Sequence, residues 1–308
     1  MDLAPVVLFV YNRPEHTRRT IRALEKNRLA DRTAVYIFAD GPKNSADSAN
    51  VYKVREVIRE NYKFKKVEIF ESKHNKGLAN SIIEGVTRIL TRYGRVIVLE
   101  DDLVTSHFFL EFMNECLEKY STNKNIWSIS GYTPNIDIHS SYQKNIYLGV
   151  RACSWGWATW KDRWETIDWE IKDYQQFSHN KDKIKRFNNG GNDMFYMLED
   201  QMKGRINSWA IRWCYNQFKQ SKYTIYPVKS LVSNIGLDFS GTHSSNNKKY
   251  KSDLYDFKPK LVDDISPDEK IMREFKQFYD LSFKGYIGVF LRKVALYKFV
   301  RSLLKKFS

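Results

Sequence analysis

Four strand-like runs, separated by helix-forming stretches, constrain this chain more than any other feature. They are Val6–Val10, Ala34–Ala39, 66–70 and 95–99, with helical character over about 15–26, 51–61 and 78–92 between them. Val6–Val10 is apolar at every position, the pattern of a strand buried on both faces rather than one. Asn12-Arg13-Pro14 marks the start of the first helix, because proline suits a first helical turn. Strand–helix alternation with short connections predicts an α/β fold, a mostly parallel Rossmann-like sheet with helices on both faces. In such sheets ligands bind beyond the carboxyl ends of the strands. Three of those ends are polar here: Tyr11-Asn12-Arg13, Asp40-Gly41 and Glu100-Asp101-Asp102.

Beyond about residue 106 the alternation weakens. A helix over 108–120 and a short strand over 127–130 precede the aromatic stretch Trp155-Gly156-Trp157-Ala158-Thr159-Trp160. A later helix carries Trp209 and Trp213. Residues 1–245 therefore read as one domain, with a ligand-binding half at about 1–105 and an acceptor-facing half at 106–245. Residues 246–308 read as a polar linker and a basic helical tail. From Lys284 to Ser308 there is no acidic residue. Leu296, Phe299, Val300, Leu303, Leu304 and Phe307 share one side of a helical wheel, with Lys298, Arg301, Lys305 and Lys306 on the other. That is the pattern of an interfacial amphipathic helix, or of a helix docked on its own domain with a solvated basic face.

The formal net charge of +15 favours anionic partners: nucleic acid, anionic lipid or phosphorylated small molecules. The basic residues are spread along the chain without a recognisable nucleic-acid motif, so no nucleic-acid partner is expected. Cys116, Cys153 and Cys214 are odd in number and widely spaced, which argues against a disulfide framework or structural zinc site and for a reducing compartment. Met1-Asp2-Leu3 runs into the first strand without a basic leader. No apolar run approaches the roughly 18 residues of a spanning helix. The expected location is cytoplasmic, with the tail peripheral on the inner face of the plasma membrane.

Three consecutive acids closing an apolar strand suit a hard divalent cation such as Mg²⁺ or Mn²⁺. Such ions are held by one or two carboxylates plus phosphate oxygens and water. Strand alternation sends Glu100 and Asp102 to one side and Asp101 to the other. The same acids could instead cap the following helix. Arg13 offers a planar donor fork to a diphosphate. Asp40 could accept from a nucleotide base or ribose, or simply close an Asp-Gly-Pro turn. Gly77 opens a helix whose N-terminal amides suit phosphate. His243, in a glycine-punctuated loop, is a candidate for a metal shell or a phosphate contact. Trp157 and the other tryptophans could stack on sugar faces or build the core. A general base for an acceptor hydroxyl is sought first at Asp200, in the Glu199-Asp200 pair, and second at Asp162.

Taken together, Tyr11-Asn12-Arg13-Pro14, Asp40-Gly41, Lys76-Gly77-Leu78-Ala79-Asn80 and Val98-Leu99-Glu100-Asp101-Asp102 resemble GT-A-fold glycosyltransferases. With Phe108-Phe109-Leu110-Glu111-Phe112, Gly156-Trp157 and the His243 loop, the chain is most similar to N-acetylglucosaminyltransferase I and its bacterial relatives, over roughly residues 4–245. The resemblance implies an inverting, metal-dependent transfer from a nucleotide-sugar, a UDP-sugar such as UDP-GlcNAc, to a glycan or lipid-linked glycan. It makes Asp102 the direct metal ligand and sets Asp40 on the base and Arg13 on the diphosphate. Eukaryotic members carry an aspartate base in a Trp-Asp-Asp-Trp segment, whereas Trp209-Ala210-Ile211-Arg212-Trp213 has no carboxylate here. A nucleotidyltransferase would use a similar sheet and metal, but with a Gly-rich basic loop where Asn12-Arg13-Pro14 stands.

Overall fold

A computed structural model describes residues 2–237 and 248–293. The first half alternates as expected: β1 (Val6–Val10), α1 (Pro14–Glu25), β2 (Ala34–Ala39), α2 (Ser45–Val57), β3 (Lys66–Glu71), α3 (Leu78–Tyr93) and β4 (Arg95–Glu100). Next come β5 (Leu103–Thr105), α4 (Phe109–Lys119), β6 (Ile126–Ser130), β7 (Ile146–Gly149) and β8 (Trp157–Trp160). Five helices follow: α5 (Lys161–Trp164), α6 (Tyr174–Ser178), α7 (Lys181–Phe187), α8 (Asp193–Met202) and α9 (Trp209–Lys219). The described chain closes with β9 (Tyr223–Pro227), β10 (Val232–Asn234), α10 (Glu269–Tyr279) and α11 (Phe283–Lys293).

Eight strands form one mixed sheet in the order β3-β2-β1-β4-β8-β6-β9-β7. The β3-β2-β1-β4 half is parallel. β8 runs antiparallel to both β4 and β6, and β7 antiparallel to β9. Strand alternation splits the core in two. Val6, Leu8 and Val10 face one side with α1, α2 and α4, while Val7 and Phe9 face the other with α3, α5, α8 and α9. Every residue of β1 is buried, as a strand covered on both faces requires.

The expected linker and tail behave differently from their sequence reading. After Tyr250 the chain runs back across the body as an extended strap. The Tyr255 amide donates to the Ser230 carbonyl at 2.9 Å, Lys258 pairs with Glu111 and Glu115, and the Tyr120 hydroxyl donates to the Val262 carbonyl at 2.6 Å. Phe257, Leu261, Val262 and Ile265 pack against the core. Phe257, Leu261 and Ile265 recur at a helical spacing, but Pro259 stands inside the run and the segment forms no helix. Helix α10 then buries Ile271, Phe275 and Tyr279 against Tyr147 and Tyr226 of β7 and β9. Packing therefore continues well past residue 245. The predicted amphipathic stretch from Leu296 to Phe307 lies outside the described residues.

Candidate functional site

Because β8 links two strands running the same way, the carboxyl ends of β1, β2, β4 and β6 share one edge with the start of β8. The carboxylate triplet lies on that edge. β4 ends at Glu100, and Asp101-Asp102 form the turn into β5. The turn breaks the expected alternation, so Asp101 and Asp102 both meet one guanidinium. Arg13 Nη2 contacts Asp101 Oδ1 and lies 3.0 Å from Asp102 Oδ2.

Arg13 is the N-cap residue of α1, yet its side chain makes no capping bond. It crosses from the end of β1 to the end of β4 instead. Pro14, following at the first helical position, needs no amide partner and fixes this start. Burial works against the Arg13 charge, but Asp101 and Asp102 outweigh it and raise the guanidinium above its ordinary value. The Thr20 hydroxyl holds the Asp101 carbonyl at 2.9 Å.

Glu100 stands apart. No hydrogen bond or ion pair joins it to another described residue. Burial first, then repulsion from Asp102 and Asp101, pushes its carboxyl up to about 8. Asp101 is also raised, chiefly by burial, with Arg13 opposing. Three acids thus share a single described cation, an imbalance that a divalent ion would relieve. Among the described residues no three His, Cys, Asp or Glu groups converge into a ready metal cage. The residues fit a hard ion that shares one or two carboxylates with substrate phosphate, not a closed protein site.

Gly236, after β10, closes the cluster from the far side. β10 pairs antiparallel with β5, and the Ile235 amide donates to the Asp102 carbonyl at 2.9 Å. A Cβ on Gly236 would run into the Asp102 carboxylate and come within 2.8 Å of Arg13 Nη1. Only glycine lets the backbone approach so closely. The sequence marked this loop as polar and glycine-punctuated, but singled out His243, which lies outside the described residues.

Asp40 sits at the end of β2 and is nearly buried. Its carboxylate accepts from the amides of Gly41 at 2.9 Å, Lys76 at 2.9 Å and Gly77 at 3.0 Å. Those bonds face the 76–77 turn instead of pointing outward to a base. Gly77 has φ +77°, a conformation open to glycine, and it is the N-cap of α3. Tyr11 and Asn12 are likewise engaged: their side chains donate to Asp47 at 2.8 and 2.9 Å. Burial and that Asp47 bond raise the Tyr11 hydroxyl. Asp47, in the first turn of α2, went unnoticed in the sequence because nothing linear ties it to Tyr11.

Two expected residues are displaced from this edge. Trp157 is fully buried, packed against Trp164, Trp209 and Trp213 with ring centroids at 5.8, 5.2 and 4.3 Å. It is core. β8 begins at Trp157, paired with Val98, and Gly156 at φ +63° turns the chain just before it, so Trp155 packs with the opposite core layer from Trp157. Trp155 is part-buried against Tyr132, with centroids 4.7 Å apart. The adjoining Cys153 thiol is raised by burial, and the Glu100 charge adds to that.

Asp162 follows Trp160, which pairs with Arg95 at the opposite end of β4. At roughly 3.3 Å per residue, that is about 16 Å from the triplet. Burial would raise Asp162, but hydrogen bonds from Lys124 and Arg163 overcome it and hold the carboxyl low. Location and partners both remove it as a base for this site. Asp200, on α8, is buried and paired with Arg205 at 2.6 Å. None of its described bonds reaches the triplet.

Comparison with protein-family models and with curated proteins returns no match for this chain.

Proposed function

We propose that this chain is a metal-dependent glycosyltransferase that binds a nucleotide-sugar, a UDP-sugar such as UDP-GlcNAc, at the carboxyl edge of its sheet. The observation that carries the proposal is the juxtaposition of Glu100, Asp101 and Asp102 with one arginine from the neighbouring strand. An acidic strand end at the carboxyl edge of a parallel sheet suits a cation-bridged diphosphate.

Asp102, assisted by Glu100, would hold Mn²⁺ or Mg²⁺, which when bound supplies Lewis-acid neutralisation of the departing nucleoside diphosphate. Arg13 orients Asp101 and Asp102 and, once a cation shares their charge, has a donor fork available for phosphate. Asp40 acts at one remove, holding the 76–77 turn so that the first amides of α3 keep their direction. Trp155, part-buried just before β8, offers an apolar ring for a sugar face. The acceptor is proposed to be a hydroxyl of a glycan or lipid-linked glycan, attacking with inversion. No base is assigned: Asp162 lies at the wrong edge, and Asp200 is held by Arg205.

A hydrolysis screen across nucleotide-sugars with Mn²⁺ and Mg²⁺ tests the proposal. Release of a nucleoside diphosphate from one donor is expected, falling at least about a hundredfold in Asp102→Asn. Release of pyrophosphate from a nucleoside triphosphate would point to nucleotidyl transfer instead. Full activity in the variant would refute the role of the triplet.

A further inference from the structure

Helix α11 turns an apolar edge to solvent. Phe283, Ile287 and Phe290 are 81 %, 44 % and 63 % exposed, and their spacing puts them on one helical face. Another side of the helix already has a partner. Val289 is buried, and the Asn192 side chain accepts the Leu281 amide at 2.7 Å and donates to the Tyr286 hydroxyl at 2.8 Å. The Asn192 amide in turn donates to Asp280 at 2.8 Å. Through α10 this junction is continuous with the packed core. The exposed edge is therefore presented by a helix whose docking face is occupied.

Charge decides what the edge fits. From Leu281 to Ser308 the sequence holds seven Lys or Arg and no Asp or Glu. Residues 294–308 enter here by composition alone. A second copy of the chain would bring two such basic segments together, whereas an anionic bilayer offers apolar depth and opposite charge in one plane. No helix among the described residues is long and apolar enough to cross a membrane. We infer that α11 docks on the surface of an anionic phospholipid bilayer, with Phe283, Ile287 and Phe290 entering the headgroup–acyl boundary. The inference does not depend on the proposed activity.

Vesicle flotation of the full chain tests it, using phosphatidylcholine alone and phosphatidylcholine mixed with phosphatidylglycerol. The native chain is expected to float with the mixed vesicles and not with the neutral ones, with added salt weakening the association. Replacing Phe283, Ile287 and Phe290 together by serine should lower vesicle affinity by about tenfold or more. Because all three side chains are exposed, circular dichroism and thermal unfolding should stay unchanged. Absence of flotation, equal flotation with neutral vesicles, or native-like flotation of the triple variant would each overturn the inference. So would a dimer in sedimentation velocity that the triple variant dissolves, which would assign the edge to a second copy.

Discussion

The two halves of the sheet use their strand ends differently. In the parallel half, β3-β2-β1-β4, the strands are apolar or mixed in sequence and β1 and β4 are followed or ended by Arg13 and Glu100, while Asp40 after β2 holds the 76–77 turn. In the mixed half, β8-β6-β9-β7, the aromatic residues that look most like sugar-stacking groups build the interior. Trp127, Trp157, Trp164, Trp209 and Trp213 form one cluster beneath the sheet. A parallel strand must be followed by a helix that turns back, which leaves its last residues at an open crevice. β8 arrives antiparallel and starts at that edge, but its first residue, Trp157, turns its ring into the core.

The sharpest way to break the contrast is Trp157→Ala. As a core residue it should cost about 3–5 kcal/mol of stability in urea unfolding, with donor affinity per folded molecule unchanged. Weak donor binding at native stability would return Trp157 to the site. Next comes Asp40→Asn. An amide cannot accept from three backbone N–H groups and adds a donor of its own, so a loss of about 1–3 kcal/mol is expected. Unchanged stability would mean that the 76–77 turn is held by other bonds.

How much of this was legible follows the same divide. The strands of the parallel half, the polar strand ends and the placement of Pro14 could all be read from apolar runs and turn residues. The burial of Trp157 could not, because it depends on the register of β8 against β4, which no local pattern encodes. The shared contact of Arg13 with Asp101 and Asp102 depends on where β4 stops, and one residue more of strand would have separated the two acids. Gly236 and the strap after Tyr250 act through contacts distant in sequence. The helical spacing of Phe257, Leu261 and Ile265 even points to a structure the strap does not adopt.

A smaller effect concerns pH. The folded chain keeps the Glu100 proton up to about 8, while the unfolded chain releases it in the ordinary carboxylate range. This contribution is therefore complete below that range and is lost as pH rises through about 8. Without metal, stability should therefore decline steadily as pH rises from the ordinary carboxylate range to about 8. Thermal unfolding across that range should show the decline, and Glu100→Gln should flatten it; an unchanged slope in the variant would assign the decline elsewhere. The smallest effect is expected for Asp162→Asn, where turnover should stay within about twofold because the residue, on α5, follows the end of β8 that pairs with the start of β4, roughly 16 Å of strand away from the triplet. A large loss would mean that the opposite edge takes part in the reaction.

The central claim is that the triplet is a cation-dependent diphosphate site. Calorimetric titration of a UDP-sugar into the native chain and into Asp102→Asn, each with and without Mn²⁺, tests it most directly. The account predicts metal-dependent binding in the native chain, weakened at least about tenfold by the substitution. Equal binding by both proteins, or binding indifferent to Mn²⁺, would contradict it.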